Sequence, residues 1–235
     1  EGMLAMTKVY DGTTNLTLNN AGTEVVGTLL SDDLDVNSAG SSASFPSANV
    51  GNYLVNATGY VLTGADANNY DLVQPTGISA VIDPKALTAL IINDPTKIYD
   101  GGTAASLTGA NFQIGGFITG EGADVTQTVG AYNSQNAGAR IVTASLDAGG
   151  FTAGGGTLLS NYILPTTASG AGTIDRKALT AAVINNPTKI YDGSTAATLT
   201  GANFQLGGFI TGEGATVTET NGTYDQANAG ARTVT

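Results

Sequence analysis

KIYDGGT, residues 97–103, decides how the rest of this sequence is read, because the heptapeptide occurs three times. KVYDGTT stands at residues 8–14 and KIYDGST at residues 189–195. Around the second and third copies the likeness widens. PTKIYDG, LTGANFQ, GGFITGEGA and NAGAR, all between residues 95 and 140, return between residues 187 and 232. The offset is 92 residues between the second and third copies and about 89 between the first and second. Self-similarity at a fixed period of this size marks a tandem array of domains. The expected units are residues 1–85, 86–177 and 178–235, the first with its opening strand cut short and the third incomplete.

Composition removes several kinds of chemistry. The sequence has no cysteine, so disulfides, thiol nucleophiles and thiolate metal sites are excluded. It has no histidine, the commonest general base and zinc ligand. Only 11% of residues are charged, yet the net charge is −11. That balance disfavours nucleic acid and anionic membrane surfaces, both of which need clustered lysine and arginine. No apolar run approaches membrane-spanning length, and Glu1 opens no signal peptide, so the chain reads as an interior excerpt of something larger. No cofactor is expected.

The units read as strings of short strands. The opening strand of the first is placed at residues 4–9; its counterparts are ALTALII (86–92) and ALTAAVI (178–184). Pro95 and Pro187 interrupt these strands, which resume and end at the Asp-Gly turn. SLTGANFQIGGF (106–117) carries an interrupting glycine that suggests a bulge or bend. Gly120-Glu121-Gly122 makes a loop. ADVTQTV (123–129) and NAGARIVTASL (136–146) alternate in period two, the latter with Val142, Ala144 and Leu146 on one face. GTLLSNYIL (156–164) supplies a turn and a strand, and GAGTIDRKAL (170–179) closes the unit. No segment keeps a 3.6-residue period over a helical length. Many short strands separated by Gly, Asn and Asp turns predict an all-β fold of small Ig-like β-sandwich modules, with β-grasp-like modules as the alternative.

The Tyr-Asp-Gly triplets are Tyr10-Asp11-Gly12, Tyr99-Asp100-Gly101 and Tyr191-Asp192-Gly193. Tyrosine offers an apolar body with a polar tip, aspartate accepts backbone N–H bonds in turns, and glycine supplies positive φ. A structural turn explains all three residues without a ligand. Tyr70 with Tyr162, Tyr132 with Tyr224 and Phe45 with Tyr132 recur in register, as core aromatics do; Tyr53 and Tyr60 are the one hint of a ligand-binding patch. Asp32, Asp33 and Asp35 are the densest carboxylate cluster and the metal candidate, calcium taking such ligands. Their register counterparts lose the set: Asp32 matches Glu121 and Glu213, Asp33 matches Gly122, and Asp35 matches Asp124 and then Thr216. Asp66, Asn68, Asn69 and Asp71 form a second candidate, also without a full counterpart. No nucleophile motif or phosphate-binding loop is present, so no catalysis is expected.

K-x-Y-D-G-T near each unit's start, L-T-G-A-D-A-x-N-Y near its end and I-D-x-K-A-L-T at the junction together resemble YDG-type repeats. The second unit departs from that pattern at GTLLSNY. Such repeats form arrays in very large secreted bacterial adhesins, including filamentous-haemagglutinin-like proteins exported by two-partner secretion. The resemblance implies an extracellular or cell-surface location and a stalk or spacer role, and it carries over no ligand. The expected partners are neighbouring repeats of the same chain and, in a filament, other copies of it. The rival expectation is a binding module for carbohydrate or a host or matrix protein within such an adhesin.

Overall fold

The computed structural model describes residues 7–29 and 31–235. Apart from short 3-10 turns, its regular structure is all strand, arranged in several small sheets. The expected opening strand at residues 4–9 lies partly outside the described residues; Thr7–Val9 is its visible part.

The way the first two repeats close on themselves organises much of the rest. Thr7–Val9 runs parallel to Ile78–Asp83, pairing Thr7 with Val81, Lys8 with Ile82 and Val9 with Asp83. Gly51–Val55 pairs with the other edge of Ile78–Asp83, antiparallel. The second repeat repeats the first pairing: Thr96–Ile98 runs parallel to Thr167–Asp175, with Thr96 opposite Thr173 and Ile98 opposite Asp175. The start of a repeat is thus held by its end. Along Thr7–Val9 and into Tyr10 the side chains alternate, so Lys8 and Tyr10 share the inner face while Val9 points to solvent.

The chain divides into two compact units that do not coincide with the sequence repeats. The first holds residues 1–93, 106–130 and 143–170; the second holds residues 94–105, 131–142 and 171–235. In the first unit, the expected strand at residues 86–92 appears as Thr88–Ile91, antiparallel to Phe112–Gly115, with Leu90 also bridging to Ser169. Lys85–Ala86 pairs in parallel with Tyr162–Ile163, and Ala123–Val125 pairs with Phe151–Ala153. One core cluster joins Tyr10, Phe45, Val55, Ala80 and Ile82 of the first repeat to Leu87 and Tyr162 of the second. In the second unit, Thr180–Val183 pairs with Phe204–Gly207, and Ala196–Thr198 with Asn221–Thr223.

Val142, Ala144 and Leu146 are each buried, on the alternate positions their period-two spacing predicts. Two details differ from expectation. The glycine in SLTGANFQ is not a bulge: Gly109–Asn111 forms a 3-10 turn in which Asn111 Oδ1 accepts from Thr108 N and Thr108 Oγ1. Residues 188–190 form no strand, although they match Thr96–Ile98 in sequence. The partner of Thr96–Ile98 is the stretch through Asp175.

Candidate functional site

The three Tyr-Asp-Gly turns are built alike, each around a local lysine–aspartate pair. Lys8 Nζ meets Asp11 Oδ1 at 2.7 Å, Lys97 meets Asp100 at 2.6 Å and Lys189 meets Asp192 at 2.8 Å. The aspartate also accepts the backbone N–H two residues on, from Thr13, Gly102 and Ser194 at 2.8–2.9 Å. Each ammonium lies 5.5–5.8 Å from the centre of an aromatic ring, that of Phe45, Tyr132 or Tyr224. Here cation–π attraction holds the lysine over the inner face of the repeat. The lysine hydrogen bond is the main cause that brings the carboxyls of Asp11 and Asp192 down to about 2, and Asp100 is lowered for the same reason. Gly12, Gly101 and Gly193 have φ of 76–80°, which explains the third residue of the motif.

The tyrosine does something the local turn does not require. Tyr10 N donates to Asp83 O at 2.8 Å, at the last residue of the closing strand, so the ring stands where the next repeat begins. Its hydroxyl donates to Glu121 Oε1 of the second repeat at 2.6 Å. Tyr162, placed there by the pairing with Lys85–Ala86, donates to the other oxygen, Glu121 Oε2, at 2.8 Å. Tyr162 Oη in turn accepts from Ile118 N at 3.3 Å. The rings of Tyr10 and Tyr162 meet edge to face at 5.3 Å, and Phe117 packs against Tyr162 at 4.8 Å. Burial raises both tyrosine pKa values, Tyr162 to about 12, with the Glu121 carboxylate pushing the same way.

A buried amide completes this junction. Asn161 is 2% exposed; its Oδ1 accepts from Val50 N at 2.9 Å and its Nδ2 donates to Asn49 Oδ1 at 3.0 Å. The glycine of the turn is also pinned, since a Cβ at Gly12 would come within 2.5 Å of Ile118 Cδ1. The second junction repeats the arrangement. Tyr99 N donates to Asp175 O at 2.8 Å, the Tyr99 hydroxyl donates to Glu213 Oε1, and Ile210 lies over Gly101. Tyr99 is half-buried and its pKa is raised, first by the bond to Glu213.

Tyr10 and Tyr99, expected as residues of structural turns, also bond the following repeat, and Tyr191 is 64% exposed. The acceptors are Glu121, in the expected Gly120–Gly122 loop, and its register counterpart Glu213. Their signal was present: a carboxylate stands at that register in all three repeats, as Asp32, Glu121 and Glu213.

The acidic candidates do not converge on a common point. Asp32 accepts from the Tyr70 hydroxyl and from Leu29 N, Asp33 Oδ2 from Ala65 N, and Asp35 Oδ1 from Val36 N. Asp66 Oδ2 accepts from Asp33 N. Among the described residues no group of three or more carboxylates is placed to hold a metal ion. Tyr60 is buried with its hydroxyl on Asn20 Oδ1, and Tyr53 donates to Asn49 O, so the two do not make an exposed aromatic patch. A hollow of about 490 Å³ is lined by residues 23–28 and by Val36, Leu62, Val73 and Ile78.

Against known proteins, the family model described as YDG domain matches residues 1–77, 83–169 and 175–235. No curated protein and no solved structure matches the chain.

Proposed function

The chain belongs to the YDG domain family, and from that premise we propose that its repeats are non-catalytic spacers in the stalk of a secreted or cell-surface bacterial adhesin. The observation that carries this reading is the junction. Tyr10, Glu121, Tyr162 and Asn161 bond one repeat to the next through side chains at recurring positions, with no linker between them. Buried hydrogen-bonded groups of this kind fix one geometry, because any other leaves polar atoms unpaired. A joint that sets its own angle turns repetition into length.

The absence of cysteine makes the test clean. Spin labels at Asn52→Cys and Thr143→Cys, both exposed positions in the first compact unit, report the joint between the first two repeats. The expected distance distribution is narrow. A broad one, of the kind given by a flexible linker, refutes the spacer reading.

A further inference from the structure

Tension along an array of repeats enters each one through its opening strand and leaves through its closing strand. The pairing of those two strands therefore decides what the tension has to break. In the first repeat they run parallel, with Thr7 opposite Val81 at one end of the pair and Val9 opposite Asp83 at the other. Load arriving at Thr7 and leaving past Asp83 pulls the two strands in opposite directions along their common axis. The register pairs and the bond from Tyr10 N to Asp83 O at 2.8 Å then carry it together. An antiparallel pairing of start and end would put both load points at one end, and the bonds would open in turn.

The surroundings oppose sliding. Ile78–Asp83 is flanked on its other side by Gly51–Val55, with Gly51 opposite Ile82 and Val55 opposite Ile78. Ile82 is 1% exposed and packs in one core cluster with Tyr10, so moving the strands past each other drags both out of it. The second repeat is built the same way. Thr96–Ile98 runs parallel to the end of Thr167–Asp175, Tyr99 N donates to Asp175 O at 2.8 Å, and Ile174 is buried. The chain ahead of Thr96 adds to the hold, since Lys85–Ala86 is parallel to Tyr162–Ile163 and Leu90 bridges Ser169 in parallel. Pro95 has no N–H to give, yet its carbonyl accepts from Thr173 N at 3.0 Å.

We propose that this parallel closure is a mechanical clamp, which lets the repeats bear tension along the chain without unfolding. The proposal rests on the reading of the repeats as stalk spacers and adds a load-bearing function to it. Forced unfolding follows the unfolding rate and not the equilibrium stability, so a repeat with a small core still resists force when it is loaded in shear.

The absence of cysteine lets two introduced cysteines set the line of pull in optical tweezers. In one variant of the full chain the handles sit at Thr7→Cys and Asp83→Cys, opposite ends of the parallel pair. In the other they sit at Thr7→Cys and Ser79→Cys, the same end; all three positions are exposed. The first geometry should need about threefold the force of the second, because the register pairs of Thr7–Val9 yield in one step instead of one by one. The contrast should recur in the second repeat between Thr96→Cys with Asp175→Cys and Thr96→Cys with Ala171→Cys, also exposed positions. Equal forces in the two geometries, or a higher force in the same-end geometry, overturn the proposal. Equal forces together with a narrow spin-label distance overturn this inference alone; a broad distance with the shear contrast intact overturns the spacer reading instead.

Discussion

Tyr10 and Tyr191 hold one position in one turn, yet the first is 4% exposed and the second 64%. Their turns are the same: the lysine–aspartate contacts are 2.7 and 2.8 Å, and the glycine φ values are 76° and 78°. What differs is the neighbour. Tyr10 has Glu121, Tyr162 and Ile118 against it, all supplied by the following repeat. The turn is therefore a property of a repeat, and the burial of its tyrosine is a property of a pair of repeats. In a linear array stability is the sum of intrinsic and interface contributions, and the tyrosine belongs to the second.

The largest test of that comparison is truncation of the ring. Tyr10→Ala should destabilise by about 3–5 kcal/mol, as for a buried aromatic. Tyr191→Ala should stay within about 0.5 kcal/mol, as for an exposed side chain. Denaturant melts of both variants decide it, and equal losses would show that the tyrosine serves its own repeat.

Glycine substitution isolates the contact from the turn. Gly12→Ala and Gly193→Ala share the cost of a left-handed residue, about 1–2 kcal/mol. Only Gly12→Ala drives a Cβ into Ile118, adding about 1–3 kcal/mol of overpacking, toward the low end because a side-chain tip can move. The difference between the two melts measures the junction, and no difference would mean that Ile118 does not seat on the turn.

Asn161 and Asn69 make a smaller pair of the same kind. Asn161→Ala leaves Val50 N and Asn49 Oδ1 without their partner and should cost about 1–3 kcal/mol. Asn69, at the matching register but exposed, should tolerate alanine within about 0.5 kcal/mol.

The smallest effects lie in the pH dependence, and they separate joint from turn. Tyr10 and Tyr162 are held neutral, with pKa values above the ordinary 10.0 and Tyr162 near 12. Their contribution is full below pH 10 and is lost at higher pH, for Tyr162 as pH rises through about 12. Tyr10→Phe should flatten that alkaline loss. Asp11 and Asp192 are lowered from 3.8 to about 2, so their contribution is full above pH 4 and is lost as pH falls through about 2. Because both aspartates titrate against a lysine in their own turn, Asp11→Asn and Asp192→Asn should change the acid limb alike. Melts across the two pH ranges check both limbs.

The sequence by itself determined everything that is local. The period, the lysine–aspartate turn, the positive-φ glycine, the alternation that buries Val142, Ala144 and Leu146, and the Asn-Tyr strand all depend on residues within a few positions of each other. Their physics is complete in the short range, so it could be read from the letters. The tertiary structure alone decided which residues share a joint. Tyr10 and Glu121 lie 111 residues apart, and Tyr99 and Glu213 lie 114 apart. No local pattern distinguishes a tyrosine packed into its own repeat from one handed to the next. The parallel pairing of start with end in the first two repeats settles the matter, because it carries the tyrosine to Asp83 or Asp175, where the following repeat begins. Residues 188–190 keep the letters of Thr96–Ile98 and form no strand, so those letters alone do not make one.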